Sequence, residues 1–582
     1  MRISRRSSII GFAAVSALAL SSCASTGNNA SSSSGDKGSK SVSMAIVNTF
    51  SSLNSNSADG NVDTNGMIAN MTTSGFYSIN NKLEVVHNDW FGTYEESDKG
   101  DGMEVKYTVK DDMKWSDGNE IGEGDLLLAW AVLSGHFDDS EKDLTYFSYA
   151  GDTAGLGNAG VPVLSDNGKT ITFTYPQKFA DWEVAYDIVA TPAHVVAKLA
   201  GMDEDKLVEV IKNAKPGEEN ADLRKIADAW NTGFNTTTMP SEDLIVCNGP
   251  YKLDAVVENQ SVTLVANENY QGPKKPAISE ITLKILPDAA AQIQALKNGD
   301  VDVITPQASI DTVSQAKALD NAETHVAPDL SYDHLDLNFH SDVFKDENVR
   351  KAFLLTIPRQ DVVDKLIKPM QPDAVVLNSE LFVVSQGKAY EEAVKQNNSS
   401  EYPTTDPEAN IAKAKELLNG ATPTVKILYN NKNSNRENTF QMIKEAAGKA
   451  GFKVESLGSE QWASELSKGP EGYYDASIFG WVSPGVGHES LGQIFATDGG
   501  SNFTGYSNAT VDEDAKKVMS TVDNAEIQKV LIQADGELFK DGYGLPLFQS
   551  PSLVAYNKSI SGIDPKPGQY PATWNIVDWD IK

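Results

Sequence analysis

The sequence predicts two α/β lobes with an additional domain inserted in the first, and three observations carry that expectation. The chain has 582 residues, more than one hydrophobic core usually supports, so roughly two to four domains are expected. Strand-like and helix-like runs alternate with short connections in two separate blocks, 281–304 and 424–481, the pattern of a twisted, mainly parallel sheet covered by helices. Ahead of the first block lies a stretch with its own apolar helix, strand and charged helical region.

The elements follow in order. Arg2, Arg5 and Arg6 precede an apolar run from Ile9 to Leu20, too short to span a bilayer as a mature helix, and small residues lead to Cys23. This is the pattern of a secretory leader, residues 1–22, whose cleavage exposes a cysteine. Residues 23–40 are Ser, Gly and Asn-rich and read as a flexible spacer. Order is expected from Ser41, where SVSMAIVN alternates like a strand, followed by a polar loop over 45–65. The run LLLAWAVL after Gly124 reads as a buried helix capped by Asp125, and KTITFTY (169–175) as a strand. Residues 203–232 are helical in pattern, and 251–267 read as two strands turning near Asn259.

A β-α-β unit then runs from strand 281–286 through helix 289–297, capped by Asp288 and stopped by Gly299, to strand 301–304. The second block has strands 424–429, 452–457 and 474–481 with helices 437–450 and 461–467 between them. A long helix (524–540) and a long strand (544–556) close the pattern.

Composition narrows the function classes. The net charge is −32 and becomes more negative if the leader arginines are removed, which argues against nucleic acid or anionic lipid as partners. There are two cysteines, Cys23 and Cys247; Cys247, in an apolar context, reads as a small buried side chain. The seven histidines show no metal-ligand spacing, and neither a Gly-x-Ser-x-Gly elbow nor a Walker loop occurs. No catalytic residue, metal site or cofactor is assigned. Trp481 ends a strand and runs into the Gly-rich loop 482–488, where it can give a ligand a flat apolar wall or seal a core.

Several segments together resemble one family, the extracytoplasmic solute-binding proteins of ABC importers, family 5, which includes dipeptide- and oligopeptide-binding lipoproteins. Leu20-Ser21-Ser22-Cys23 resembles a lipobox. Trp115-Ser116-Asp117-Gly118 with Asp125, Asn248-Gly249-Pro250-Tyr251, and Asn267-Glu268-Asn269-Tyr270 resemble family segments. So do Leu296 to Asp302, Asp346 to Ala352, Asp406-Pro407 through Leu418, Tyr474-Asp475 with Gly480-Trp481, and Leu545 to Phe548. Two positions depart from the pattern. Peptide-binding members carry an aspartate three residues after the tryptophan, for the peptide's amino group; Pro484 stands there, and Asp475, Asp498 and Glu489 lie elsewhere. Pro358 precedes Arg359 where the family usually has an aspartate.

The resemblance implies a two-lobed, type II periplasmic-binding-protein-like α/β fold with an inserted domain. Lobe I would comprise 41–90, 236–335 and 545–582, domain II 91–235, and lobe III 336–544. It implies a monomer anchored through Cys23 on the outer face of a bacterial membrane. That monomer would capture an oligopeptide, or another small solute, and pass it to membrane permease subunits. The implied ligand contacts are Trp481, Phe479, Gly480, Ser483 and His488 from lobe III, with Asn61, Val62, Tyr332 and Phe548 from lobe I. An oligosaccharide receptor of the same fold is the second reading, and an anchored surface hydrolase the third.

Overall fold

Two long strands, Ala322–Leu337 and Gly544–Asn557, run antiparallel through the middle of a ten-stranded sheet and organise the molecule. The computed structural model describes residues 40–582 except 166, 484 and 498. The leader, Cys23, most of the spacer and Pro484 therefore lie outside the described residues.

On one side of the long pair lie strands Ala476–Val482, Thr424–Asn430 and Lys453–Ser459. On the other lie Val303–Ile304, Ser41–Ile46, Glu280–Ile285, Ser261–Ala266 and Tyr251–Val257. The sheet is mixed, which corrects the expectation of a mainly parallel one. Thr424–Asn430 is parallel to both its neighbours, as is Ser41–Ile46, while every other pairing is antiparallel. The reason is local. The Tyr251–Ala266 hairpin joins its strands by a tight turn, which makes them antiparallel, and the helices that precede the two long strands do not return them parallel to a neighbour.

The long pair is continuous but not regular. The N-terminal part of Ala322–Leu337 pairs with the C-terminal part of its partner up to Pro328 opposite Pro551. Pairing resumes at Tyr332 opposite Gln549 after a register shift, and a second shift follows at Asp333/His334. Neither proline has a backbone N–H to give to a ladder. On one side of the break Gly544–Asn557 joins the five-stranded side through Ala555 and Tyr556, and on the other Ala322–Leu337 joins the three-stranded side through residues 331–337.

Helix boundaries follow from caps. The Asp288 side chain accepts the Ala291 N–H at 2.7 Å at the start of Ala289–Asn298, and Gly299 ends that helix at φ 77°. Asp523 opens Asn524–Asp541, where Gly542 supplies the left-handed residue at φ 67°. In Glu123–Leu133 the expectation is corrected: Gly122 is the cap residue and Asp125 lies inside the first turn. The Asp125 carboxylate accepts from Gly122 N, Ala193 N and Trp115 Nε1. The Trp-x-Asp-Gly…Asp pattern is thereby a structural clip. The polar loop after Ile46 is also shorter than expected, since Asp63–Thr72 is helical.

A separate antiparallel sheet of Gly92–Lys99, Gly102–Val109, Thr170–Tyr175 and Val163–Leu164 packs with helices that include Glu123–Leu133, Ala193–Leu199, Glu204–Asn213 and Ala221–Thr232. Its core holds Trp115, Trp130 and Trp230, each almost fully buried, and aromatic side chains bury about 150–250 Å² apiece. Arg359 is also buried, its guanidinium donating to the carbonyls of Leu377, Pro546 and Tyr402 and to Asn378 Oδ1. Cys247 lies in the core, and burial pushes its thiol up to about 11.

Candidate functional site

A cavity of about 880 Å³ opens beside the break in the long strands. Leu330, inside the break, lines it, and so do Trp481, Val482 and Ser483 from the neighbouring strand end. Tyr332 opposite Trp481 and Ser331 opposite Val482 fix that strand's register, and Ser483 N donates to Leu330 O at 3.0 Å. Other walls come from helix Asp63–Thr72 (Ala69, Asn70), from Tyr77 and Trp90, and from Asp187, Tyr270 and the segment Lys566–Val577. The segment Glu489–Ile494 closes the lining.

Trp481 is held as a rigid wall. Its ring lies parallel to the His334 imidazole (centroids 5.9 Å, planes 4° apart) and to Phe503 (6.2 Å, 8°), with Phe479 edge-on at 5.1 Å. His334 is fixed from behind, its Nδ1 lying 2.7 Å from Asp336 Oδ1, while Tyr543 donates to Asp336 Oδ2 at 3.1 Å. Such a plate offers an apolar face whose position costs little to maintain on binding.

The opposite walls use glycine to admit large side chains. A Cβ at Gly66 would sit 1.8 Å from the Tyr570 hydroxyl oxygen, so this glycine within Asp63–Thr72 lets Tyr570 lie across the helix. Asp187 packs against Gly75, and its Oδ1 accepts the N–H groups of Phe76 (2.9 Å) and Ile188 (2.8 Å). Burial pushes the Asp187 carboxyl up to about 7, and the two N–H donors oppose that rise.

Of the residues named from the sequence, Trp481 and Ser483 line this cavity. His488 lines an adjoining one of about 180 Å³, which shares Ser483 and Ser490 with the first. His488 N and Nδ1 both meet the Asp181 carboxylate, at 3.0 and 2.6 Å. The others are placed elsewhere. Phe479, Tyr332 and Phe548 are core residues, 3%, 4% and 2% exposed. The Tyr332 hydroxyl is consumed by Glu380 O at 3.0 Å. Each is taken up by a core of its own: Tyr332 packs with Phe382 and Tyr390, Phe479 with Leu428 and Tyr474, and Phe548 with Leu335 and Leu547.

Gly480 serves an ion pair: its missing Cβ would lie 2.9 Å from Arg436 Nη2 and 3.0 Å from Asp333 Oδ1. Asn61 and Val62 line neither cavity; they lead into helix Asp63–Thr72, with Val62 at its cap position. Sequence reasoning missed Tyr77, Trp90, Asp187, Tyr270, Tyr570, Trp574 and Lys566. The Pro- and Gly-rich run 565–571 beside Tyr570 and Trp574 was the available clue, since aromatic residues on such loops commonly serve ligands.

Among the described residues no group of three or more His, Cys, Asp or Glu side chains is arranged to hold a metal ion. No described helix is long and apolar enough to cross a membrane. The arrangement of aromatic plates with Asn70, Ser78, Asn88, Ser490 and Gln493 between them suits reversible capture of a polar solute.

Residues 90–503 match the family model described as bacterial extracellular solute-binding proteins, family 5 Middle. An uncharacterized lipoprotein of Mycobacterium leprae is 26% identical over 491 residues, 82% of this chain and 82% of that protein. The oligopeptide-binding protein OppA of Mycobacterium tuberculosis is 24% identical over 465 residues, 78% of this chain and 71% of that protein. Among solved structures, the periplasmic EDTA-binding protein EppA superposes with a TM-score of 0.78 at 21% identity, over 94% of this chain and 98% of that one.

Proposed function

The chain belongs to the bacterial extracellular solute-binding proteins of family 5, and from that premise we propose that it is a lipid-anchored receptor that captures short oligopeptides and delivers them to an ABC permease. The observation that carries this reading is the cavity at the strand break, walled by Trp481 on one side and by the Tyr570–Trp574 segment on another. Its volume of about 880 Å³ lies near the top of the roughly 300–1,000 Å³ range of small-molecule sites. A peptide of a few residues fits this space, held by backbone hydrogen bonds and ordered water.

The lobes in this reading are 41–90 with 236–335 and 545–582, and 336–544, with 91–235 inserted. The two long strands carry the chain between these lobes, and the break in their ladder at Pro328 and Pro551, a few residues to the lobe I side of the crossing, supplies the hinge. A solute that touches both lobes favours closure by its extra affinity for the closed form. The leader pattern ending at Cys23 and the relatives named as lipoproteins support anchoring through a diacylated Cys23. Incorporation of labelled palmitate, lost in Cys23→Ala, tests the anchor.

The substrate is tested by mass spectrometry of solutes that co-purify with the protein, followed by calorimetry with defined peptides and oligosaccharides. Peptides bound one to one are expected. Glycans in their place would favour the oligosaccharide reading, and turnover of either would contradict a receptor.

A further inference from the structure

The inserted stretch 91–235 is tied to segments of lobe I. Leu53 N donates to Phe234 O at 3.1 Å, Thr236 N to Ser51 O at 2.9 Å and Ser116 N to Cys247 O at 2.7 Å. With the lobe boundaries proposed above, a contact between this stretch and 336–544 is therefore a contact across the closure. One such contact is polar and lies where the two cavities adjoin. Asp181 stands on the inserted side, His488 and Glu489 on the other.

The three side chains are shaped to meet. Asp181 is buried, its Oδ2 accepts the His488 backbone N–H at 3.0 Å, and its Oδ1 lies 2.6 Å from His488 Nδ1. The Glu489 carboxyl is hydrogen-bonded to the same carboxylate. A Cβ at Gly487 would collide with Glu489 Oε2, so the glycine before His488 leaves room for that rotamer. Beside them Ala180 N donates to Met519 O at 2.9 Å, and Met519 and Val522 pack against the core of the inserted domain. The polar group thus sits on an apolar seat.

Two carboxyl groups share a hydrogen bond only with a proton between them. Burial first, then the carboxylates of Asp181 and Asp152, push the Glu489 carboxyl up, and its own backbone N–H opposes the rise. The groups facing it are therefore His488 from its own loop and the two acids of the inserted domain. Asp187, Lys274 and Lys566 carry the other charges on the wall of the large cavity. When 336–544 swings away, Glu489 meets water and returns towards its ordinary value of 4.5. The closed form thus holds the proton more tightly than the open form. Closure is favoured at low pH and weakens as pH rises through the raised value.

We propose that Asp181, His488 and Glu489 are a closing clasp completed by one shared proton, so that the receptor holds its solute in acid surroundings and lets it go more readily towards neutrality. This rests on the lobes and the solute cavity proposed above and adds what keeps them shut. Glu489 acts here as a positioning residue for closure.

The test is calorimetry of trialanine on the full mature chain at about pH 5 and about pH 7, a range over which both ends of the peptide keep their charge. X-ray scattering is measured on the same protein with and without trialanine. The Kd is expected to rise about tenfold from the lower pH to the higher, with a larger radius of gyration at the higher. The series is repeated in the Asp187→Asn background, so that the other wall carboxyl raised into this range cannot supply the slope. Glu489→Gln, whose amide donates to Asp181 with no proton to lose, should bring the ratio of the two Kd values close to one. Asp181→Asn should do so from the other side. A ratio that survives both substitutions overturns the clasp and leaves a peptide receptor standing, as does a wild type with equal Kd and equal radius at both pH values. Trialanine bound at neither pH counts against the peptide reading, and scattering without peptide then decides the clasp. A radius that grows with pH in the wild type and not in Glu489→Gln upholds it; growth in both or in neither overturns it.

Discussion

Arg436 grips the Asp333 carboxylate with two prongs, Nε to Oδ2 at 3.0 Å and Nη2 to Oδ1 at 2.8 Å, directly over the bare Cα of Gly480. Asp333 lies one residue from His334, which backs the cavity wall, and both partners are largely withdrawn from water. The ion pair fixes the strand end from which Trp481 projects.

Removing one partner leaves the other charge buried without compensation, which typically costs about 3–5 kcal/mol. Arg436→Met is therefore expected to lower unfolding stability by that order in urea melts. Gly480→Ala, which intrudes on both partners, should cost about 1–3 kcal/mol by overpacking. If the ion pair is what the added methyl disturbs, the two losses will not add in the double variant.

Trp481→Ala removes the stacked plate and is expected to weaken solute binding by about 10–100-fold, as for a buried aromatic anchor. Trp481→Phe should retain most of the affinity. Calorimetry with a bound peptide checks both, and unchanged affinity in the alanine variant would remove this wall from the site.

Asp187 gives a pH dependence with a definite sign. Its folded carboxyl is raised to about 7 from an ordinary value of 3.8, so the folded state holds the proton more tightly than the unfolded chain. Stability from this group is full below about pH 4 and is lost as pH rises towards about 7. Both N–H donors meet one oxygen, so Asp187→Asn can keep them while removing the ionisation. The variant is expected to gain on the wild type between pH 4 and 8, by on the order of 2 kcal/mol. Melts across that range check it; a gap that does not widen with pH would overturn the assignment.

His488 and Asp181 join the segment after Trp481 to the smaller sheet's domain, alongside the Ala180 N to Met519 O bond of 2.9 Å. A hydrogen bond to a carboxylate contributes about 1.5–3 kcal/mol. His488→Ala is expected to favour the open form, raising the solute Kd about tenfold and enlarging the radius of gyration seen by X-ray scattering with solute present. An unchanged Kd and radius would show that this contact takes no part in closure.

Much of the architecture was legible because it rests on local chemistry. Asp288 and Gly299 mark a helix's two ends in sequence as they do in space. The alternation in Thr424–Asn430 and the helix at Ser434–Ala450 likewise need only neighbouring residues to declare themselves. For Trp481 the sequence left two places open, a ligand wall or a core seal, and the fold sets it on the cavity wall.

What the sequence determined alone was therefore the α/β class and those elements with clear periodicity and caps, because these signals act within a few positions; strands Gly92–Lys99, Gly102–Val109 and Ala322–Leu337 escaped it. The tertiary structure decided the rest. It set the mixed sheet, the facing of Pro328 and Pro551, the withdrawal of Tyr332, Phe479 and Phe548 into the core, and the lining of one cavity by residues as distant in sequence as Tyr77, Trp481 and Tyr570. The physical reason is that strand order and burial depend on which faces distant segments cover, and no local pattern records its partner.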